Sequence, residues 1–402
     1  MKITKIETIR IEERQNLLWI QVYTDEGLVG LGETFFGAKA VEAYIHETLA
    51  PIVIGRNPLQ IDRLSADLVG YLGFRSTGVE MRGNSAFDIA LWDLFGKVTN
   101  QPIAQLLGGF TRQEIRTYNT CAGTEYIKKA TGQNTANYNI KSSKQDIYDD
   151  LNGFMNTADE LALSLLDEGI TGMKIWPFDL AADKTKGQYI SPADMKKCLE
   201  PIEKIRNAVG DKMDIMIEFH SMWQLLPAIE IARALEPYNI FWHEDPIKMD
   251  SLSSLKRYAA ASKTPIAASE TLGSRFAFRD LIETDAAGIF NLDISWCGGL
   301  TEAKKIASMA ETWHLPIAPH DCTGPVVLCA STHLSLNAPN ALVQESVRAF
   351  YKTWYRDIVT DLPIVKNGNI TVPQGAGLGM ELNADLDKAF TTSRKVSDAS
   401  SL

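Results

Sequence analysis

Cysteine is scarce in this 402-residue chain, which has five and no Cys-x-x-Cys pair. That excludes a disulfide-stapled scaffold and the common cysteine zinc motifs, and the odd count suits reduced thiols in a cytoplasmic setting. Nowhere do about 18 apolar residues run together, so no membrane span is expected. The N-terminal Met-Lys-Ile-Thr-Lys-Ile-Glu alternates charged and aliphatic residues and lacks the apolar core of a signal peptide. Excess positive charge is missing too: the formal net charge is -10, the wrong sign for a nucleic-acid partner. An anionic small-molecule substrate stays admissible, because a bound cation and local Lys or Arg set the field inside a pocket. What is present, 45% apolar and 22% charged residues, is ordinary for a globular chain and sufficient for a barrel plus a smaller domain.

The order of elements changes near residue 113. Before it, residues 2–11 and 17–23 alternate as antiparallel strands do, Asp25-Glu-Gly marks a turn, and Gly30-Leu-Gly-Glu ends a third strand. Helical spacing follows at 41–50, 59–70 and 85–98, the last apolar over most of its surface and therefore buried. Residues 1–113 read as a small α+β domain. From 115 onward strand and helix alternate, with strands at 115–121, 171–176, 213–218, 240–244, 265–270, 288–293, 315–319 and 342–345. Helices between them include 158–168, 195–209, 227–236 and 300–312. Eight strands are what a closed β/α barrel over 114–345 requires. Two connections, 122–157 and the stretch after Trp176, are too long for simple loops; both follow strand ends and would overhang the barrel mouth. Residues 346–402 fall outside the repeat and are expected to fold back onto the first domain.

Within the barrel three acidic residues stand at equal steps of 26 residues: Glu218 in Ile-Met-Ile-Glu-Phe-His, Glu244 in Phe-Trp-His-Glu-Asp-Pro, and Glu270 in Ile-Ala-Ala-Ser-Glu. Each follows a short apolar run and precedes a helix-like segment, so each ends a barrel strand. Neighbouring strand ends meet at one mouth, where three carboxylates would repel each other unless a cation sat between them. The spacing reads as a divalent metal site.

Together with Phe87-Asp-Ile-Ala-Leu-Trp-Asp-Leu-Phe-Gly-Lys and Gln101-Pro-Ile-Ala-Gln-Leu-Leu-Gly-Gly, the triplet resembles the enolase superfamily in its mandelate racemase-like branch, over almost the whole chain. The resemblance implies a modified (β/α)7β TIM-type barrel with an N-terminal α+β capping domain completed by the C-terminal tail. It also implies one Mg²⁺ held at the ends of the third, fourth and fifth strands, here by Glu218, Glu244 and Glu270, and assembly into a closed homo-oligomer. A set of carboxylates without Cys suits a hard, oxygen-preferring ion better than Zn²⁺. Relatives carry Asp at the first ligand position, and Glu218 is one methylene longer.

His220 lies two residues after Glu218, so period-two geometry sends it to the ligand's side of the strand, into the mouth. His320 in Ala-Pro-His-Asp-Cys ends the seventh strand and Asp293 in Asn-Leu-Asp-Ile-Ser the sixth. Adjacent strand ends make a His–Asp pair, in which the carboxylate fixes the tautomer and raises basicity. In relatives this dyad is the acid/base on one face of the substrate. The branch commonly has Lys-x-Lys on the second strand with the second Lys as base, but here Lys174 is followed by Ile and Trp176. Lys174 remains as an electrostatic clamp on the substrate carboxylate or a metal ligand, and Trp176 as a wall against the substrate.

Without that base, a carboxylate-x-His on the third strand facing a His–Asp dyad resembles the acid-sugar dehydratases. Glu345, in Leu-Val-Gln-Glu-Ser on the eighth strand, matches the family's acid that hydrogen-bonds the developing enediolate, for which it must be protonated. Asn119, at the end of the first strand, is a candidate contact to a substrate hydroxyl. His46, His243, His314 and His333 read as structural. In the expected reaction His220 removes the proton beside the carboxylate of a polyhydroxy acid and His320 protonates the departing C3 hydroxyl, leaving a 2-keto-3-deoxy acid. The same residues admit a racemase, an epimerase or a lactone cycloisomerase. A non-catalytic sugar-acid binder is disfavoured, since ligands, dyad and Glu345 are all present. Substrate choice is expected to reside in loops 14–19 and 71–78 and in the two long barrel loops.

Overall fold

Both ends of the chain contribute to one antiparallel sheet. The computed structural model describes residues 1–69, 78–131, 134–140 and 148–400. In it β1 (Ile3–Ile11), β2 (Leu17–Thr24) and β3 (Val29–Phe35) form a meander, and the tail strand Thr392–Asp398 pairs with β1 from Lys5–Asp398 to Ile11–Thr392. The helix Val79–Thr99 lies across this sheet and is buried along most of its length. Gly30 and Gly32 allow that approach: a Cβ on either would collide with the carbonyl oxygen of Ala90 or Ala86.

The second sheet is the barrel. Its strands β4 (Ile115–Thr120), β5 (Gly172–Ile175), β6 (Asp214–Glu218), β7 (Trp242–Glu244) and β8 (Ile266–Ala267) are parallel neighbours in sequence order, and β9 (Gln344–Ser346) returns to pair with β4. At the expected sixth and seventh strands, single bridges rather than ladders close the ring: Ala267–Ile289, Phe290–Ile317 and Asp293–His320. Inside the ring Tyr118, Met216, Trp242, Ala267, Ile289, Ala318 and Val343 pack against one another, so the barrel is a filled core and not a pore. The fold is a modified β/α barrel with an α+β capping domain.

The end of β3 is fastened to the barrel. The Glu33 carboxylate accepts from Trp19 Nε1 at 2.6 Å and from the backbone N–H of Val327 at 3.0 Å, where the helix Pro325–Asn337 begins. Trp296 Nε1 donates to the Phe35 carbonyl at 3.1 Å. These bonds hold Phe35 and Phe36 over the barrel mouth. Among the described residues no helix is long and apolar enough to cross a membrane.

Candidate active site

Strand alternation delivers the three carboxylates to one place. Met216 points into the barrel, so Glu218, two residues on, does too, and it pairs directly with Glu244 across β6 and β7. Glu270 follows β8. All three are buried, and one carboxylate oxygen from each lies within 4.8 Å of the others. Lys174, on β5, sets its ammonium 2.6 Å from Glu244, 3.0 Å from Glu345 and 3.7 Å from Glu218. Burial opposes the charge on Lys174, but Glu244 and Glu345 outweigh it and hold the ammonium protonated far above its ordinary range. Burial pushes Glu218 and Glu244 upward, with further carboxylates adding to the push. Glu218 Oε2 is buried without a hydrogen-bond partner among the described residues. Glu218, Glu244 and Glu270 could hold a hard cation such as Mg²⁺ through oxygen alone.

Two imidazoles flank this cluster. His320 places Nδ1 2.7 Å from Asp293 and Nε2 2.8 Å from Glu270. Burial disfavours the imidazolium, but Glu270 and the neighbouring carboxylates raise His320 well above its ordinary range. Glu270 is correspondingly held down to about 2, against the upward push of burial, mainly by His320. His220 enters the mouth differently from the expected strand alternation. β6 ends at Glu218, and His220 and Ser221 take left-handed backbone angles, φ 46° and 56°. The turn lets the His220 N–H donate to Glu218 Oε1 at 2.6 Å. Its Nδ1 lies 2.6 Å from Asp179 Oδ2, to which Tyr138 also donates at 2.6 Å. Burial depresses His220, yet Asp179 and Glu218 carry it up to about 9.

One cavity joins these groups. Thr120, Lys174, His220, Glu270 and His320 supply its polar wall; Phe35 and Phe36 of the capping domain, with Tyr126, Trp176 and Trp296, supply the aromatic one. Trp176 packs on Tyr126 and Phe154 and meets the His220 ring edge-on at 5.6 Å between centroids.

Residues 5–108 match the family model of the mandelate racemase / muconate lactonizing enzyme N-terminal domain, and residues 157–386 that of the enolase C-terminal domain-like family. The chain belongs to the mandelate racemase/muconate lactonizing enzyme family. It shares 71% identity with the solved structure of an enolase of the mandelate racemase subgroup from Agrobacterium tumefaciens, with all of both chains covered and a TM-score of 0.90. A D-galactonate dehydratase of Klebsiella pneumoniae is 30% identical over 99% of this chain and 96% of its own length. A D-xylonate dehydratase of Haloferax volcanii is 28% identical over 96% of this chain and 88% of its own length.

One expectation for this family member changes. Asn119 does not line the cavity: its amide donates to Asp150 at 3.0 Å and its carbonyl accepts from the Arg348 N–H at 2.7 Å. Since Tyr118 fills the barrel interior, Thr120 is the next inward residue of β4, and Thr120 lines the cavity instead. Glu345 accepts from Thr120, from Lys174 and from the Asp321 N–H at 2.8 Å. Burial would raise it, but Lys174 and His320 hold it below the ordinary carboxylate range.

The family member's long barrel loops carry Tyr126, Ile127, Tyr138 and Asp179 to the site, none of which the sequence pattern singles out. An acidic residue just after the second strand, in a loop over the mouth, was a signal available for Asp179. From the capping loop 14–19, Arg14 and Asn16 line an adjoining cavity that shares Phe35 and Tyr126, whereas 71–78 lies, Gly78 apart, outside the described residues. His243 bonds Tyr258 at 2.8 Å and is pushed down to about 3 by burial, away from the cavity.

Proposed function

We propose that this family member is a Mg²⁺-dependent sugar-acid dehydratase, a hydro-lyase that removes the proton alpha to a carboxylate and the beta hydroxyl to give a 2-keto-3-deoxy acid. The observation that carries the reading is one cavity lined by His220, Glu270 and His320, with Asp293 bonded to His320 and with Glu218 and Glu244 clustered on Glu270. The dehydratase names of the relatives at about 30% identity agree with it. Bound Mg²⁺ would offset the negative charge that builds on the substrate carboxylate as the alpha proton leaves. His220 takes that proton on Nε2 as the neutral ring, the form that prevails above its raised value of about 9 and that a cation on Glu218 would favour at lower pH. Lys174, fixed by Glu244 and Glu345, faces the same growing charge. His320, kept protonated between Asp293 and Glu270, gives its Nε2 proton to the C3 oxygen, the C3–O bond breaks and water departs. The enol that remains ketonises. The five cysteines are unpaired, which supports a reducing, cytoplasmic setting.

The test is a screen of mono- and di-acid sugars with Mg²⁺, scored for keto acid with a carbonyl reagent. Keto-acid release that falls at least about 10²-fold in both His220→Asn and His320→Asn supports the assignment. Exchange of the C2 hydrogen in D₂O without keto acid from any sugar acid would replace dehydration by epimerisation. Turnover within about threefold of wild type in either variant, far below the usual worth of an acid/base group, would remove that residue's role.

A further inference from the structure

His220 is held in place by groups remote from its own strand. Its backbone is in the left-handed region, where an L-residue is strained, so the strand does not by itself fix the ring. What fixes the ring is Asp179, 41 positions earlier, at the start of the helix Asp179–Thr185 in the loop after β5. Asp179 is fully buried, and a single oxygen, Oδ2, receives both the His220 Nδ1 contact and the Tyr138 hydroxyl. Tyr138 comes from the other long loop, between β4 and β5. A hydroxyl hydrogen can only be donated to a carboxylate, so Tyr138 secures Asp179 as an acceptor, and Asp179 in turn demands N–H at His220 Nδ1. The Nε2 lone pair of the neutral ring then has one direction left, toward the cavity that His220 lines. His320 is arranged alike, with Asp293 on its Nδ1.

We propose that Asp179 is the positioning residue of His220, with Tyr138 as the anchor of Asp179, so that the active site has two Asp–His pairs rather than one. Asp179 touches no reacting atom; it acts through the tautomer and orientation of the imidazole. The inference rests on the reading of His220 as the group that removes the C2 proton. In Asp179→Asn the amide oxygen can take the place of Oδ2 and still accept from both Tyr138 and His220 Nδ1, so what the variant removes is the negative charge that stabilises the imidazolium formed as His220 takes the proton. Proton uptake at Nε2 is then disfavoured while the ring keeps its place. A carboxylate-to-amide change beside the catalytic histidine of a serine protease lowers kcat by about 10⁴.

The experiment compares Asp179→Asn, Tyr138→Phe, His220→Asn and the double variant Asp179→Asn/His220→Asn in the full chain with Mg²⁺. The substrate is the sugar acid dehydrated fastest in the screen, unlabelled and deuterated at C2. Asp179→Asn is expected to lower kcat by at least about 10²-fold with KM within about threefold, and to enlarge the C2 isotope effect, because proton removal becomes more fully rate-limiting. Adding it to His220→Asn is expected to cost less than about threefold more, since groups acting as one unit are not additive. Tyr138→Phe removes one hydroxyl and is expected to lower kcat about 3- to 10-fold with the same rise in isotope effect. If His220→Asn itself turns over normally, it is the role of His220 that fails. If His220→Asn is inactive while Asp179→Asn keeps kcat within threefold, or loses it with an unchanged isotope effect, the positioning role is overturned. Should Asp179→Asn not melt cooperatively, Tyr138→Phe decides alone, and an unchanged kcat and isotope effect there overturns the proposal.

Discussion

The Lys174 ammonium lies 2.6 Å from the Glu244 carboxylate inside the barrel, where both side chains are almost wholly buried. It also contacts Glu345 and approaches Glu218, so one cation serves three buried acids. Removing one member of a buried ion cluster leaves the others uncompensated, at a cost of about 3–5 kcal/mol. Lys174→Met is therefore expected to lower the urea unfolding free energy of metal-free protein by roughly that amount, and dehydration by at least about 10²-fold. An unfolding midpoint equal to that of wild type would show that the three acids are neutral without Lys174.

The extra methylene of Glu218 has a use. Oε1 is engaged by the His220 N–H at 2.6 Å, and Oε2 is buried 3.7 Å from the Lys174 ammonium with no hydrogen-bond partner among the described residues. A side chain shorter by one C–C bond, about 1.5 Å, cannot serve both the turn and the cluster. Glu218→Asp is expected to weaken Mg²⁺ binding about 10-fold by calorimetry and to lower kcat by a similar factor, whereas Glu270→Gln should abolish both. Mg²⁺ added after EDTA treatment should restore wild-type activity. Full activity in EDTA would dismiss the ion altogether.

The parts of the site legible in the sequence were those within a few residues of a strand end. Glu218, Glu244 and Glu270 each follow an apolar run, so their order and common mouth could be read from spacing alone. His320 and Asp293 bridge each other across adjacent strand ends, again a matter of register. His220 reaches the mouth by a route other than alternation, since a left-handed turn begins where the strand stops. Asn119 failed because alternation needs a reference residue, and nothing in the sequence marked Tyr118 as the inward one. Asp179 and Tyr138 come from loops 41 and 82 positions before His220, and no periodic pattern encodes a loop-to-turn contact.

Trp176 stands where the branch commonly has a lysine base, and its surroundings explain why a base is not wanted there. Tyr126 and Phe154 enclose the indole, and His220 meets its edge. The indole Nε1 has no hydrogen-bond partner among the described residues, so only the ring's volume is used. Trp176→Phe is expected to cost less than about 1.5 kcal/mol and to keep most activity. Trp176→Ala should cost about 3–5 kcal/mol and lower kcat at least tenfold, because the His220 ring loses its wall. Urea unfolding and steady-state kinetics check both, and an active, stable Trp176→Ala would remove Trp176 from the site.

His333 gives the chain an acid limit. It is buried in the helix Pro325–Asn337, where Nδ1 accepts from the Ala104 N–H at 3.2 Å and Nε2 faces the Leu378 carbonyl at 3.4 Å, which fixes a neutral ring between capping domain, barrel and tail. Burial pushes it down to about 4, with Leu378 opposing only weakly. The unfolded chain protonates near the ordinary value of about 6.5, so stability from the neutral ring is complete above that pH and is lost as pH falls toward 4. Across that window the loss is about 3 kcal/mol on the linkage scale. Burial raises Glu33 to about 8 and Asp88 to about 7, and these shifts work in the opposite direction, so the informative quantity is the difference between variants. His333→Gln can keep one acceptor and one donor without titrating. Urea unfolding at pH 7.5 and 4.5 is expected to show wild type losing about 2–3 kcal/mol more than the variant on acidification. Equal losses would mean that His333 titrates in the fold as it does in the unfolded chain.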